Sequence, residues 1–240
     1  MLQYGGLRLI TDPTFDPPAR SIDGTPWRTS PPAVAVADVG HLDAVLLSHD
    51  QHPDNLDQAG RTLLATVPLI ATTPLAATRL GVPATGLAPY EHVEVQGPER
   101  PVRITGLPAE HGPAGAEAES GPVSGFLVSG EGLPTVYVSG DDASLDVVRD
   151  IADRVGPVDV ALLFVGAAKL AGLLGGAPLT LDGEQAARAA AVLGARTVVP
   201  LHCEGWTHYS EGVGQVAAAF DRAGLRDVLA VVAAGQEVKL

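Results

Sequence analysis

The chain has 240 residues, a formal net charge of -13, 18% charged residues and 46% hydrophobic ones. An acidic chain of this kind lacks the basic face that binds nucleic acid or an anionic membrane, which leaves small molecules, anionic ones held by a metal included, as partners. Its one cysteine, Cys203, excludes an intrachain disulfide and a thiolate zinc cluster. The start does not resemble a signal peptide and no unbroken apolar run reaches about 18 residues, so the expected location is cytoplasmic. The length suits one domain, residues 1–240; a homo-oligomer stays open.

In chain order, residues 7–10 read as a strand stopped by Thr11, Asp12 and Pro13. Residues 17–32, rich in Pro, Ser, Thr and Asp and carrying Trp27, read as a long loop, and loops of about 15 residues are commonly functional or mobile. Residues 33–39 read as a turn or short helix. The apolar run 43–47 is a buried strand, followed by Ser48 and the segment His49-Asp50-Gln51-His52-Pro53-Asp54-Asn55. Leu56, Ala59, Leu63 and Leu64 predict a helix over 55–65, capped by Asp54 or Asn55. A strand at 68–71, a helix at 75–80 and strands at 90–96 and 102–107 follow.

Residues 112–122 read as a loop, and 123–129 with 135–139 as a hairpin. Helices are predicted over 144–155, over 182–193 with Asp182 and Gln185 as a capping box, and over 213–223. Strands are predicted at 158–165, 197–201 and 228–233. The order DAVLLSH, helix, PLIATTP in the first half parallels DVALLFV, helix, TVVPLH in the second, which predicts a layered α/β protein with two related halves.

Four apolar segments end in a metal-ligand residue type: His49, His111, Asp141 and His202. Neutral imidazole and carboxylate are the usual ligands of borderline divalent ions such as zinc, and ligands on adjacent strand ends converge although distant in sequence. The glycine-rich stretch 166–176 lacks the Gly-Lys-Ser/Thr ending of a phosphate-binding loop. No Gly-x-Ser-x-Gly elbow is present either.

These segments resemble the metallo-β-lactamase superfamily, and in it the lactonase-like hydrolases of the ascorbate-6-phosphate lactonase branch. GGLRLITDP is similar to that superfamily's early strand, SHDQHPDNLD to its His-x-His-x-Asp-His signature, PAEHG to its third-histidine segment, VSGDD to its metal-bridging aspartate turn, and PLHCEGWTH to its last-histidine segment. The resemblance implies a four-layer αββα sandwich and a hydrolase that uses metal-activated water on a small ester, lactone or phosphodiester. It implies one or two divalent ions, zinc first, with manganese or iron as alternatives. The implied ligands are His49, His52 and His111 for one ion and Asp54, Asp141 and His202 for the other.

The signature is one residue longer than the superfamily pattern: Gln51 stands at the second histidine, and Asn55 replaces the last. Either Gln51 or His52 then faces the metal. Pro53 suits a helix's first turn and not its interior, so 50–52 is irregular chain in which a bulge delivers His52. Asp54 would also handle the proton, and His208 would steady the developing oxyanion. Asp12 reads as an orienter of a ligand histidine or a turn cap, Trp206 as a pocket wall or a residue packed under its loop, and Lys169 as a solvated side chain ahead of a partner for an anion. Cys203, on the opposite side of the chain from His202, reads as a buried thiol. The rival reading is a non-catalytic metal or ligand-binding protein on the same scaffold.

Overall fold

The computed structural model describes residues 1–20, 26–98 and 100–239. The first half runs through β1 (Leu2–Tyr4), β2 (Leu7–Thr11), β3 (Ala19–Arg20), β4 (Pro26–Arg28), β5 (Ala44–Leu46), α1 (Gln58–Leu64), β6 (Leu69–Thr72), α2 (Pro74–Arg79) and β7 (Thr85–Gly86). The second runs through β8 (His92–Gln96), β9 (Pro101–Ala109), α3 (Glu117–Ser120), β10 (Val123–Ser129), β11 (Val136–Val138), α4 (Leu145–Val155), β12 (Val160–Phe164), α5 (Gly183–Val192), β13 (Thr197–Leu201) and α6 (Val213–Arg222). One sheet has the order β1-β2-β5-β6-β7 and the other β13-β12-β11-β10-β9-β8. The β5–α1–β6 and β12–α5–β13 units each return to a parallel neighbour, which accounts for the echo between the two halves.

Alternation along the strands builds the layers. On β5, Ala44 and Leu46 pack between the sheets with Leu9, Ile104, Phe126 and Phe164, while Val45 and Leu47 pack with Ile10, Leu64 and Ile70 on the α1 side. On β12, Val160 and Phe164 point to the inter-sheet core, and Ala161 and Leu163 point to α4, α5 and α6 through Val148, Ile151, Ala186 and Phe220. Helix, sheet, sheet and helix therefore stack in four layers. Each such buried aliphatic or aromatic side chain contributes roughly 1.5–3 kcal/mol, so the layers hold the strand ends in place independently of any ligand.

The two sheets meet closely where the site lies. The Ser124 N–H donates to the Ser48 carbonyl across the sheets at 3.0 Å. Gly140, at φ 59°, fits beside this contact because a Cβ there would come within 2.6 Å of the Ser124 carbonyl oxygen; only glycine combines that backbone with that clearance.

Several expectations need correction. Helix α1 begins at Gln58 and is capped by Asp57, whose Oδ1 accepts from the Gly60 N–H at 2.8 Å; Asp54 and Asn55 are turned into the interior and cap nothing. The stretch 17–32 is not all loop, because β3 and β4 pair as a short ribbon; its residues 21–25 lie outside the described residues. A short helix, α3, interrupts 112–122. No strand forms at 228–233. A 3-10 turn at Arg226–Val228 leads instead to a single bridge between Val198 and Leu229; Val228 and Leu229 pack on the helix-side core, while Val231 stays 46% exposed. The capping box of α5 forms as expected, with Gln185 N–H donating to Asp182 Oδ1 at 2.7 Å.

Asp142 ties the end of β9 to the start of α4. Its Oδ1 accepts from the N–H groups of Glu110 at 3.0 Å and Ser144 at 3.1 Å, while Oδ2 is buried with no hydrogen-bond partner among the described residues. Burial pushes this carboxyl up to about 7, from an ordinary value of 3.8, against the pull of those N–H groups. Between about pH 4 and pH 7 the folded chain therefore binds more protons than the unfolded one, and stability falls as pH rises through that window, by something of the order of 4 kcal/mol. Asp142→Asn keeps an oxygen for both N–H groups and is expected to remove that part of the decline. Thermal melts of chelator-treated protein across the window would show the variant gaining on the wild type as pH rises; parallel profiles would refute the assignment.

Candidate metal centre

His49 lies just beyond β5, which sits between β2 and β6. His111 follows the end of β9, Asp141 follows β11 through Ser139 and Gly140, and His202 follows β13. His202 adopts φ 57°, a left-handed backbone uncommon for a residue with a Cβ. The turn after His49 delivers His52 and Asp54, with the N–H groups of Asn55 and Leu56 both donating to the His52 carbonyl.

The structure brings all six proposed ligands together in two groups. His49, His52, His111 and Asp141 each offer one ligand atom, all within 4.8 Å of one another, and so do Asp54, Asp141 and His202. Asp141 is common to both: its Oδ2 is 3.7 Å from His111 Nε2 and its Oδ1 is 3.4 Å from His202 Nε2.

The protonation pattern of the first group suits a cation. His111 Nδ1 lies 2.8 Å from the Leu179 carbonyl, an acceptor only, so the ring proton sits there and Nε2 is bare. His52 Nδ1 faces both His111 Nε2 at 3.1 Å and His49 Nε2 at 2.8 Å. One N–H cannot serve both, and three ring nitrogens left facing one another are the donor set a divalent ion takes. Burial, only partly offset by Asp141, drives the His49 imidazole down to about 3, so its lone pair stays available. In the second group His202 Nδ1 and Asn55 Oδ1 are buried with no hydrogen-bond partner among the described residues. Burial there opposes the charge on His202, but Asp141 and Asp54 outweigh it and hold the imidazole up at about 9. Burial likewise opposes the Asp54 charge, and His202 and His208 overcome it to keep that carboxyl well below its ordinary range. The ion, when bound, takes over this compensation.

A domain profile described as the beta-lactamase superfamily domain matches residues 7–203. The chain belongs to the beta-lactamase superfamily. Within this superfamily it is 30% identical over 187 residues to a UPF0173 metal-dependent hydrolase of Methanosphaerula palustris, covering 75% of this chain and 77% of that one. It is 28% identical over 207 residues to another from Pyrococcus abyssi, covering 84% and 80%. The first of these relatives places the chain in the UPF0173 metal-dependent hydrolase family. Among solved structures, the isothiocyanate hydrolase from Delia radicum gut bacteria superimposes with a TM-score of 0.80 over 100% of this chain and 95% of that one, at 22% identity. That likeness concerns the fold.

Other expected residues of this superfamily member fall in varied places. His208 reaches the centre, its Nε2 2.8 Å from Asp54 Oδ2. Asp12 does not touch a ligand histidine; its Oδ1 accepts from the Ser48 N–H at 2.8 Å and so fixes the residue before His49. Burial and the Asp141 charge push the Asp12 carboxyl up to about 8. Trp206 packs edge-on to Trp27, with the Arg28 guanidinium over its ring, and does not line the recess over the donors. Lys169 is exposed and meets the site only through its N–H, which donates to the His208 carbonyl. Burial raises the Cys203 thiol to about 12, so it stays protonated and inert. Gln51 is exposed, its carboxamide packed over Gly121.

Three contributors were not legible in the sequence. Trp27 stacks on His208 with ring centroids 4.9 Å apart. Tyr209 sends its hydroxyl to Asp54 Oδ2 at 3.4 Å. Asp57 Oδ2 accepts from buried Arg28 at 2.9 Å and from the half-buried Asp16 N–H at 2.6 Å. Asp57 left a local signal, an aspartate three residues ahead of a glycine at a helix start, and Trp27 a coarse one, its place in the long 17–32 stretch.

The imidazole geometry generates a direct test of His52 against Gln51. His52→Ala is expected to lose one ion per chain after metal loading and desalting, while Gln51→Ala retains the wild-type content. Metal analysis of the two variants decides it, and the reverse pattern would place Gln51 inward.

Proposed function

We propose that this protein hydrolyses a small, neutral, electrophilic molecule, such as a lactone, ester or thioester, at a centre of two divalent ions, with zinc at the three-imidazole position. The observation that carries this reading is the wall of the recess over the donors. The recess measures about 30 Å³ and is lined by Trp27, Pro53, Ala168, Leu170 and Leu179 around His52, Asp54, His111, Asp141 and His208. No lysine or arginine is among these residues. Recognition of a phosphodiester normally enlists such cations, so an apolar wall favours a neutral substrate with a short apolar substituent.

Bound divalent ions would supply the Lewis acidity, polarising the scissile group and lowering the pKa of water. The chain's own residues do the rest. His49, His52 and His111 would hold one ion and Asp54 and His202 the other, with Asp141 common to both donor groups. Asp54 Oδ2 is the proton acceptor for the attacking water. His208 Nε2 and the Tyr209 hydroxyl, both directed at that oxygen, orient it and hold the proton near the leaving group. Trp27, stacked on His208, excludes bulk water from the same side. The fold neighbour named as an isothiocyanate hydrolase makes a small isothiocyanate a reasonable member of the substrate panel.

Metal-loaded protein would be assayed against lactones, thioesters, an isothiocyanate and phosphodiesters. Turnover of one or more neutral classes is expected, well above any phosphodiester activity. Leu170→Lys is expected to raise KM for the neutral substrate about tenfold, the equivalent of roughly 1.4 kcal/mol of lost contact and added desolvation, with metal content unchanged. Phosphodiesters outpacing every neutral compound would sink the reading.

A further inference from the structure

A second cleft lies at the same end of the sandwich as the metal centre. It measures about 290 Å³ and is formed where Thr73 and Pro74 follow β6, Leu87 and Pro89 follow β7, and the end of β9 meets the start of β10. Among the described residues, His111 is the one lining residue it shares with the recess over the donors. Gly112 shows how the two are kept apart. A Cβ there would stand 3.3 Å from Ala116 Cβ, on the cleft side, and 3.4 Å from Leu179 Cδ2, on the recess side. The chain that carries His111 is thus packed between two hollows.

The cleft has the make-up of a small-molecule site. Its volume is close to the lower end of ordinary ligand pockets, about 300 Å³. Leu87, Leu107 and Val123, all buried, give it an apolar floor. Five prolines, Pro74, Pro89, Pro108, Pro113 and Pro122, stand in its wall. Each has a fixed φ, and a wall that is already rigid loses little freedom when a ligand enters.

Its charge is of one sign. Glu110 and Glu117 both line the cleft, and no lysine or arginine is among the lining residues. Neither carboxylate is ion-paired among the described residues. The net charge of the chain, -13, adds to the same field. An anion is repelled from such a place, whereas a cation on an apolar body finds both its halves matched.

We propose that this cleft is a binding site for a small organic cation, an ammonium group on an apolar body, separate from the recess over the donors. Its occupant lies against the segment from Ala109 to Pro113, on the side away from the ions. The site goes beyond the hydrolysis proposed above and does not depend on it.

Zinc-loaded, isotope-labelled protein would be titrated with benzyltrimethylammonium, whose nitrogen has neither an N–H nor a lone pair to offer a metal. Amide NMR shifts are expected at Glu110, Ala116, Glu117 and Val123, with a dissociation constant on the order of a millimolar or below for a fragment of this size. Benzoate, a similar ring with the opposite charge, is expected to bind at least about tenfold more weakly. Glu110→Gln combined with Glu117→Gln keeps the shape and removes the charge. It is expected to weaken the cation about fivefold, the worth of two partly exposed ion pairs. Ala109→Phe, at a half-buried lining position, is expected to block the cleft and abolish the shifts.

Benzoate binding as well as the cation, or an affinity unchanged in the double glutamine variant, would overturn the proposal. Shifts confined to the surroundings of Trp27 and His208 would place the probe over the donors and overturn the separate site. So would the absence of any shift at the four amides. All these readouts are of binding, so they are distinct from turnover and leave the hydrolase reading to its own test.

Discussion

Asp141 is the carboxylate on which the centre closes. It follows a strand of the six-stranded sheet, yet one oxygen faces His111 and the other faces His202 and Asn55. It can stand there only because Gly140 lets the chain pass against Ser48 and Ser124, where the two sheets are hydrogen-bonded to each other. The close approach of the sheets is therefore the constraint that makes two donor groups out of strand ends that are far apart in sequence. A wider gap would leave His49 on one side and His111, Asp141 and His202 on the other, each an ordinary buried polar residue in need of a partner.

Electrostatics and packing divide the work. Removing carboxylates and imidazoles from water carries a cost that dispersion cannot repay, and the protein meets it by setting opposite charges against one another. His202, held up at about 9, is the counter-charge to Asp54 and Asp141, while His49, driven down to about 3, stays neutral. The site thus contains one imidazole that favours its charged form and one that resists it, within a single cluster. The hydrophobic layers impose this arrangement, since they fix the strand ends whether or not the polar groups are content.

The strand ends could be read in the sequence because each strand is a short, branched apolar run stopped by a polar residue, and burial selects that pattern directly. His49, His111, Asp141 and His202 were visible for this reason, and the capping box of Asp182 and Gln185 because its spacing is purely local. The start of α1 misled because Asp54 and Asn55 have the chemistry of caps; the pull of the buried centre on their side chains outweighed the roughly 1 kcal/mol a cap provides. The strand expected at 228–233 stops after one bridge to Val198, because beyond Leu229 the apolar residues leave the core and Val231 is exposed. Trp27, Leu170 and Leu179 reach the recess, and Tyr209 reaches Asp54, through tertiary packing alone, so no spacing in the sequence announced them.

Trp27 stands apart from the donors in one further respect. It is carried by β4, whose chain is bonded to the segment after His202 through Thr29 N–H to the Gly205 carbonyl and Thr207 N–H to the Trp27 carbonyl, and anchored below by Arg28 on Asp57. None of the six donor residues belongs to that ribbon. The aromatic side of the recess and the six donor residues therefore lie on separate stretches of the polypeptide. A substitution on the ribbon's aromatic face thus changes one wall of the recess and leaves all six donor positions in place.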